Sequence, residues 1–469
     1  METAYRYHAL ENWLLKGIEE GRWQSGERLP SVRALCQQHQ LSKATVQHAL
    51  QRLEAQGLLQ AKAKSGYYVT ARNTHNDEAA AHPLQAPRPV SVSDVFRDIM
   101  RRSAAFDILP ESDSEQPPTG ITALNRAIGR ALRRQRGQHH QYYDQPAGDP
   151  TLRQQIAQHQ ARRGWPVTAD DLCITAGCQN ALFLALMACC QPGDVVAVET
   201  PGFYGALQLL EQLGLKVVEV PSSVVSGMDM DALEEVLQRW RVRACIVSPA
   251  FATPTGALMP QSSGQRLLAL AEYHDLAIIE DDIYADTGFT SVPAPLKAMD
   301  QHQRVILCSS FSKTLSRDLR LGWISGARWH ERIVQLKLVT QLASSRAVQQ
   351  GVADFMQDGG YAAHLRRLRL TLQQQRDQLP ELLQQWPVAV NVTLPRGGIA
   401  LWAELPGDRD LMQLYGPARD MGIVITPGPL FSSSGRFTHC LRISFAHPWT
   451  QARRQALTDL GQLLQQRAS

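Results

Sequence analysis

The chain is expected to join a small winged helix-turn-helix domain to a large α/β domain with a mainly parallel sheet. Three observations lead there. Its 469 residues are more than one hydrophobic core usually serves. The first seventy or so residues have helical apolar spacing and then a hairpin pattern. From about residue 172 onward, short apolar runs of strand character alternate with helical stretches.

The elements follow in order. Residues 4–20 read as an amphipathic helix with Tyr7, Leu10, Leu14 and Ile18 on one face, ended by Gly21. A turn around Trp23 and Gly26 precedes a short helix after Pro30, with Val32, Leu35 and Cys36 inward. Ser42 can cap the next helix, in which Val46, Ala49, Leu50 and Leu53 recur at helical spacing and which Gly57 stops. Residues 59–69 read as a hairpin turning near Lys64 and Gly66. Between 73 and 93 the periodicity vanishes and Pro83, Pro87 and Pro89 accumulate, the composition of a stretched linker. The expected division is therefore 1–72, a linker over 73–93, and 94–469. Strand-like runs then fall at 172–176, 195–198, 217–220, 244–247, 277–279 and 305–308.

The formal net charge of +4 is unevenly spread. Residues 1–72 hold ten Lys and Arg against six Glu, while the rest holds 38 of each sign. A surplus confined to the first domain suits a polyanionic partner there, although a solvated basic face fits the same count. Eight cysteines form no CxxC pair and several sit in apolar runs, so buried reduced thiols are expected, with neither disulfides nor a metal site. The first residues do not resemble a signal peptide and no apolar run reaches transmembrane length. A cytoplasmic protein without a membrane partner is expected.

The pattern Leu29-Pro-Ser-Val-Arg33, then Leu41-Ser-Lys-Ala-Thr-Val46, then Leu53-Glu-Ala-Gln-Gly57-Leu-Leu describes two short helices and a wing. The second helix would enter the major groove by its N-terminal end, which offers Ser42, Lys43, Thr45 and Gln47. Lys62 and Lys64 on the wing could reach the adjoining backbone. A three-helix bundle with a solvated face fits the spacing alone. The residues themselves resemble the DNA-binding domain of the GntR family of bacterial regulators over nearly all of 1–70. That resemblance implies an operator of double-stranded DNA, with Arg28, Ser31, Arg33, Lys43, Thr45, Gln47 and Gly66 at or near the contacts. The family usually has Arg where Gln47 stands.

A second constellation centres on Ser310-Phe-Ser-Lys313 and Arg320. It resembles the signature of fold-type I aminotransferases, in which a lysine forms a Schiff base with pyridoxal 5′-phosphate. Only a lysine amine can condense with the aldehyde and exchange with an incoming amine. Arg320 suits the phosphate and Ser310 adds a hydroxyl donor. Where the family often has Pro-Gly, this chain has Arg317-Asp318.

Other pieces arrive in that family's order. Asp281 would hold the pyridine nitrogen protonated, and Tyr284 would bond the ring's phenolic oxygen. Gly177, Cys178 and Gln179 join a strand to a helix whose N–H groups can cradle the phosphate. Phe203 would stack on the ring, with Tyr204 a second candidate. Tyr143 would reach the phosphate of a partner subunit, and Arg442 would clamp a substrate carboxylate. Singly, each has a structural alternative: a loop lysine, a helix cap, a plain turn, a core ring, a structural ion pair. Together, across roughly 120–445, they imply the aminotransferase fold with a smaller C-terminal α+β subdomain. Thr253 stands where the family has Asn, and its hydroxyl is a shorter mimic of the amide.

The whole layout resembles the MocR subfamily of GntR regulators. The resemblance implies a homodimer that uses pyridoxal phosphate to sense the cofactor or an amino compound by aldimine exchange at Lys313. The alternative is an active aminotransferase with an accessory N-terminal domain.

Overall fold

The computed structural model describes residues 2–19, 22–24, 26–55, 58–62, 66–69, 84–90, 94–101, 108–109, 119–135 and 142–466. The chain divides into two compact units, 1–76 and 77–469.

The first unit contains α1 (Glu2–Glu19), α2 (Val32–His39), α3 (Lys43–Ala55) and an antiparallel hairpin of β1 (Leu59–Lys62) and β2 (Gly66–Val69). Its core gathers Leu10 and Leu14 from α1, Leu35 from α2, Val46, Ala49, Leu50 and Leu53 from α3, and Leu59 and Val69 from the hairpin. These are the apolar positions the helical spacing picks out. The expected Ser42 cap forms, Thr45 N donating to Ser42 Oγ at 3.2 Å, and Ser31 caps α2 as well, Ala34 N donating to its Oγ at 3.2 Å. Arg52 on α3 bonds the buried Glu11 of α1 at 3.2 Å, tying the first helix to the third.

The second unit opens with β3 (Arg88–Pro89), α4 (Asp94–Arg101), α5 (Thr119–Arg134) and α6 (Pro150–Arg162). Then come β4 (Cys173–Thr175), α7 (Cys178–Cys189), β5 (Val195–Thr200), α8 (Tyr204–Gln212), β6 (Lys216–Ser223), β7 (Gly227–Met228), α9 (Met230–Arg239) and β8 (Val242–Val247). A small ribbon of β9 (Ala250–Ala252) and β10 (Ala257–Leu258) is followed by α10 (Gln261–Tyr273), β11 (Ala277–Asp281), β12 (Val305–Ser310) and β13 (Gly322–Ser325). The main sheet runs β3-β6-β5-β8-β11-β12-β13-β4, with β7 beside β6. The four pairings from β6 to β12 are parallel; those at β3, β7, β13 and β4 are antiparallel. Its central strands are buried throughout, which is why they read as continuous apolar runs rather than alternations.

Helices α11 (His330–Gln341), α12 (Arg346–Gln357) and α13 (Gly360–Leu383) lead to a three-stranded antiparallel sheet of β14 (Asn391–Val392), β15 (Ala400–Glu404) and β16 (Cys440–Ser444). With α14 (Tyr415–Asp420) and α15 (Gln451–Gln466) this makes the smaller α+β subdomain, whose core includes Leu379, Trp402, Phe445 and Leu457. No helix among the described residues is long and apolar enough to cross a membrane.

The linker expectation needs correction at its C-terminal end. Arg88 and Pro89 pair with Val217 and Lys216 at the sheet edge, Arg88 meets Glu219 at 3.5 Å, and Val90 is buried. Proline-rich extended backbone suits an edge strand, where a missing N–H faces no neighbour. Residues 73–83 and 91–93 lie outside the described residues. Strand β13 also went unread as a strand, because its four residues follow directly on the lysine motif.

Candidate functional site

The DNA-facing candidates fall on one short stretch of exposed surface chemistry. Arg28, Ser31, Arg33, Ser42, Lys43 and Gln47 are exposed, and Thr45 is half-buried with its hydroxyl 2.8 Å from that of Ser42. Gly66 has φ +117°, and a Cβ there would lie 3.3 Å from Arg28 Nε, so the glycine lets the wing lie against that guanidinium. Ser31 spends its oxygen as the cap of α2. Lys62 ends β1; Lys64 and Gly57 lie outside the described residues. Among the described residues, Arg33 and Lys43 have no ion-pair partner.

The second site is a cavity of about 440 Å³ in the large unit. Most of its walls come from the carboxyl ends of parallel strands and the turns after them, where open α/β sheets place their ligands. Asp281 ends β11, Lys313 and Ser312 follow β12, and Phe203 follows β5. Thr253 enters from the β9–β10 ribbon and Arg442 from β16 of the smaller subdomain.

Lys313 is held down to about 7 from the ordinary 10.5, by burial first and then by the positive charges of Arg317 and Arg442, with Asp281 opposing. Asp281 is raised to about 6 by burial, against the Cys178 thiol, which donates to its Oδ1 at 3.3 Å, and Ile283 N–H at 3.3 Å. Burial also raises Tyr284 and Tyr204, while Arg442 and Arg317 pull both down. Thr253 links Tyr284 to Arg442: it shares a hydrogen bond with the phenol, and Arg442 Nε donates to its Oγ1 at 3.4 Å.

The turn from β4 into α7 is built for close approach. Gly177 takes φ +86° as the N-cap of α7, and a Cβ there would sit 3.0 Å from Arg320 Nη2. Arg320, itself at φ +45°, donates to Ala176 O at 2.9 Å. Backbone N–H groups at a helix start and a guanidinium thus converge, the chemistry of a phosphate cradle. Phe203 folds over Gly205, where a Cβ would meet its ring at 2.4 Å, and Gln179 Nε2 donates to Gly205 O at 2.8 Å.

Most expected pocket residues therefore meet: Lys313, Asp281, Tyr284, Cys178, Gln179, Phe203, Thr253, Arg320 and Arg442 line the cavity and Gly177 adjoins it. Ser310 does not line it. Its buried hydroxyl is spent on Leu321 O at 3.0 Å and on Ser312 N–H at 3.1 Å, and Ser312 faces the cavity in its stead. Ser310 ends β12, whereas Ser312 lies in the turn after it, where strand alternation no longer holds. Tyr143 is 77% exposed and far from completing its own chain's cavity. Sequence reasoning gave no role to Arg317, Ser312 or Gln208, which all line it. Arg317 was visible as a departure from Pro, but not as a cavity residue.

Two family models match in tandem: "Bacterial regulatory proteins, gntR family" over residues 6–69 and "Aminotransferase class I and II" over 111–460. The HTH-type transcriptional regulator YjiR of Escherichia coli is 36% identical, the alignment covering 97% of this chain and 98% of its own length. The chain belongs to the MocR-type regulators. Its relative YdcR, also an HTH-type transcriptional regulator of Escherichia coli, is 35% identical over 98% of this chain and 99% of its own. The α-aminoadipate aminotransferase LysN of Thermus thermophilus, solved with N-(5′-phosphopyridoxyl)-L-leucine, superposes with a TM-score of 0.71 at 27% identity. It covers 80% of this chain and 95% of its own. A Pyrococcus horikoshii kynurenine aminotransferase shares the fold at the same TM-score, with 24% identity over 81% of this chain and 96% of its own. MocR-type chains are regulators with a GntR reader and an aminotransferase-like domain, and the regulatory reading stands ahead of a free-standing aminotransferase.

Proposed function

We propose that this regulator binds its operator through residues 1–72, holds pyridoxal 5′-phosphate on Lys313, and senses an amine or amino acid that competes with Lys313 for the cofactor. One observation carries the reading. Lys313 and Arg320, Asp281, and Arg442 come from three segments well apart in the chain and line one cavity, in a chain that also carries a DNA-reading motif. The residues fit the cofactor: a cradle with no side chain at Gly177, a guanidinium beside it, and a buried carboxylate, Asp281, lining the same cavity.

Bound there, the cofactor supplies an aldehyde that condenses with amines and a ring that withdraws electrons. The rest falls to the chain. Arg320, Ser312 and the start of α7 would hold the phosphate. Asp281, still mostly ionised at pH 7, would keep a proton on the ring nitrogen. Tyr284 would donate to the phenolic oxygen, Phe203 would cover a ring face, and Arg442 would pair with the effector's carboxylate. As the family resemblance implies, the working form is a homodimer in the cytoplasm, with Tyr143 completing the partner's phosphate site.

An effector that displaces Lys313 frees a neutral amine and adds a carboxylate–guanidinium pair. Those are differential contacts, and only differential contacts can shift a conformational equilibrium. Typical couplings are about 1–3 kcal/mol, roughly 5- to 150-fold in affinity. The test is operator affinity of the full chain without cofactor, with it, and with it plus a panel of amines and amino acids. Equal affinities in all three states, at spectrally verified occupancy, would refute the regulatory role of the pocket. Thr253 bears on the alternative: without an amide at that position, turnover with an amino donor and a keto acid should be slow.

A further inference from the structure

The pocket holds one more cation than its expected ligands explain. Lys313, Arg317, Arg320 and Arg442 line it, against the single carboxylate of Asp281. Three of the four have a task in the reading above, on which this inference rests. Lys313 bonds the cofactor, Arg320 lies at the phosphate cradle, and Arg442 takes a carboxylate. Arg317 has none. It is half-buried, and among the described residues it has no hydrogen-bond or ion-pair partner. A guanidinium facing a cavity without a counter-charge is poised for an anion.

Its position says which anion. Arg320 is committed to the β4–α7 turn by its bond to Ala176 O and its approach to Gly177. The phosphate is thereby provided for, by one guanidinium and a helix start. Arg317 acts elsewhere. It lines the cavity together with Tyr204, Tyr284 and Arg442, and its charge, like that of Arg442, is among the leading ones that bear on Lys313, Tyr204 and Tyr284. Arg317 and Arg442 therefore share the effector side of the cavity, on separate elements. Arg442 stands on β16 against Thr253, and Arg317 stands in the turn that follows Lys313.

We infer that the effector is an amino acid with a second anionic group, its α-carboxylate held by Arg442 and its side-chain anion by Arg317. A guanidinium fork suits a carboxylate or another oxyanion at that end. A neutral side chain would leave Arg317 half-buried and unpaired, a cost that an acidic one removes.

The test uses full-length protein loaded with pyridoxal phosphate, titrated with pairs that differ mainly in the terminal charge: L-glutamate and L-glutamine, L-aspartate and L-asparagine, O-phospho-L-serine and L-serine. The readout is the bound cofactor's absorption spectrum. A charge-assisted pair of this kind implies a preference of about tenfold or more for the acidic member. The three pairs separate carboxylate from phosphate and shorter from longer chains. In Arg317→Gln the preference should fall close to unity, while Arg317→Lys retains part of it. Arg442→Gln should weaken both members of each pair alike. Affinity for the cofactor itself should change little in Arg317→Gln. If the wild-type protein binds both members of every pair equally, the inference is wrong while amine sensing stands. If Arg317→Gln loses cofactor and keeps the preference, Arg317 serves the phosphate and the inference is again wrong. Should no amine or amino acid alter the spectrum, the sensing reading fails and this inference falls with it.

Discussion

Lys313 should capture the cofactor quickly at neutral pH, and the pH at which that speed appears is set by its neighbours. The attacking species is the neutral amine. An ordinary lysine with a value of 10.5 is neutral in roughly one molecule in three thousand at pH 7. With Lys313 lowered to about 7, about half the molecules carry a neutral amine at that pH. The gain in reactive fraction is therefore about a thousandfold, before any gain from orientation. The assay mixes cofactor-free protein with pyridoxal phosphate in a stopped-flow instrument across pH 5.5–10, with a free lysine analogue as reference. The attachment rate should climb with pH and level off near 7, whereas that of the reference keeps climbing to about 10.5. Arg317→Met and Arg442→Met should each move the inflection upward, because each removes a positive charge that disfavours a second one. An inflection above about 9 in the wild-type protein would refute the reasoning, as would an inflection that stays put in both variants.

Lys313→Met should stabilise the cofactor-free protein at pH 7. A lysine whose folded value is lowered binds fewer protons than the unfolded chain between about 7 and 10.5, so stability rises with pH across that window and the cost is full below it. The gain on denaturant unfolding should be at most roughly 4 kcal/mol at pH 7 and nearly nothing at pH 10.5. Lys43→Ala and Arg33→Ala should each weaken operator binding and flatten its salt dependence by about one unit of slope, while residues 73–469 alone should not bind the operator tightly. Gly177→Ala places a Cβ 3.0 Å from Arg320 Nη2 at φ +86°, so cofactor affinity measured by equilibrium titration should fall about tenfold or more.

What could be read in advance was what the chain encodes locally. The Ser42 cap, the apolar faces of α2 and α3, and the wing follow from near-neighbour spacing, and all are present. The strand runs at 195–198, 277–279 and 305–308 are buried on both faces, so composition alone exposes them. Less legible were features decided by distant packing. Pro89, with Arg88, becomes an edge strand only because β6 offers an edge at Lys216 and Val217. Whether Ser310 or Ser312 faces the ligand depends on Leu321 O, which lies across a turn and claims the first hydroxyl. The direction of Arg317 depends on how the chain turns before Arg320, whose left-handed φ of +45° no local pattern announces for an arginine.

The three adjacent acids at the end of β11 explain why only one can serve the pocket. Strand alternation sends Glu280 and Asp282 to one side and Asp281 to the other. Glu280 accepts backbone N–H bonds from Leu296 and Lys297 at 2.7 and 2.8 Å, and burial still raises it to about 8. Asp282 is gripped by the fork of Arg163, one arm at 2.8 Å, which itself lies buried. Nearby, Asp286 is taken by His159 at 2.8 Å, and its proximity to Arg163 and Arg369 helps hold it down to about 2 despite its burial. Each of these carboxylates has its own partners, and none lines the cavity. Asp281 alone keeps a weak thiol donor and one long backbone contact, the partners of an acid that has yet to meet its cation. Removing Arg163 would leave the buried Asp282 carboxylate unpaired and drive it to take up a proton, and with that charge goes one of the influences that raise Asp281, so Arg163 acts on the pocket only through Asp282.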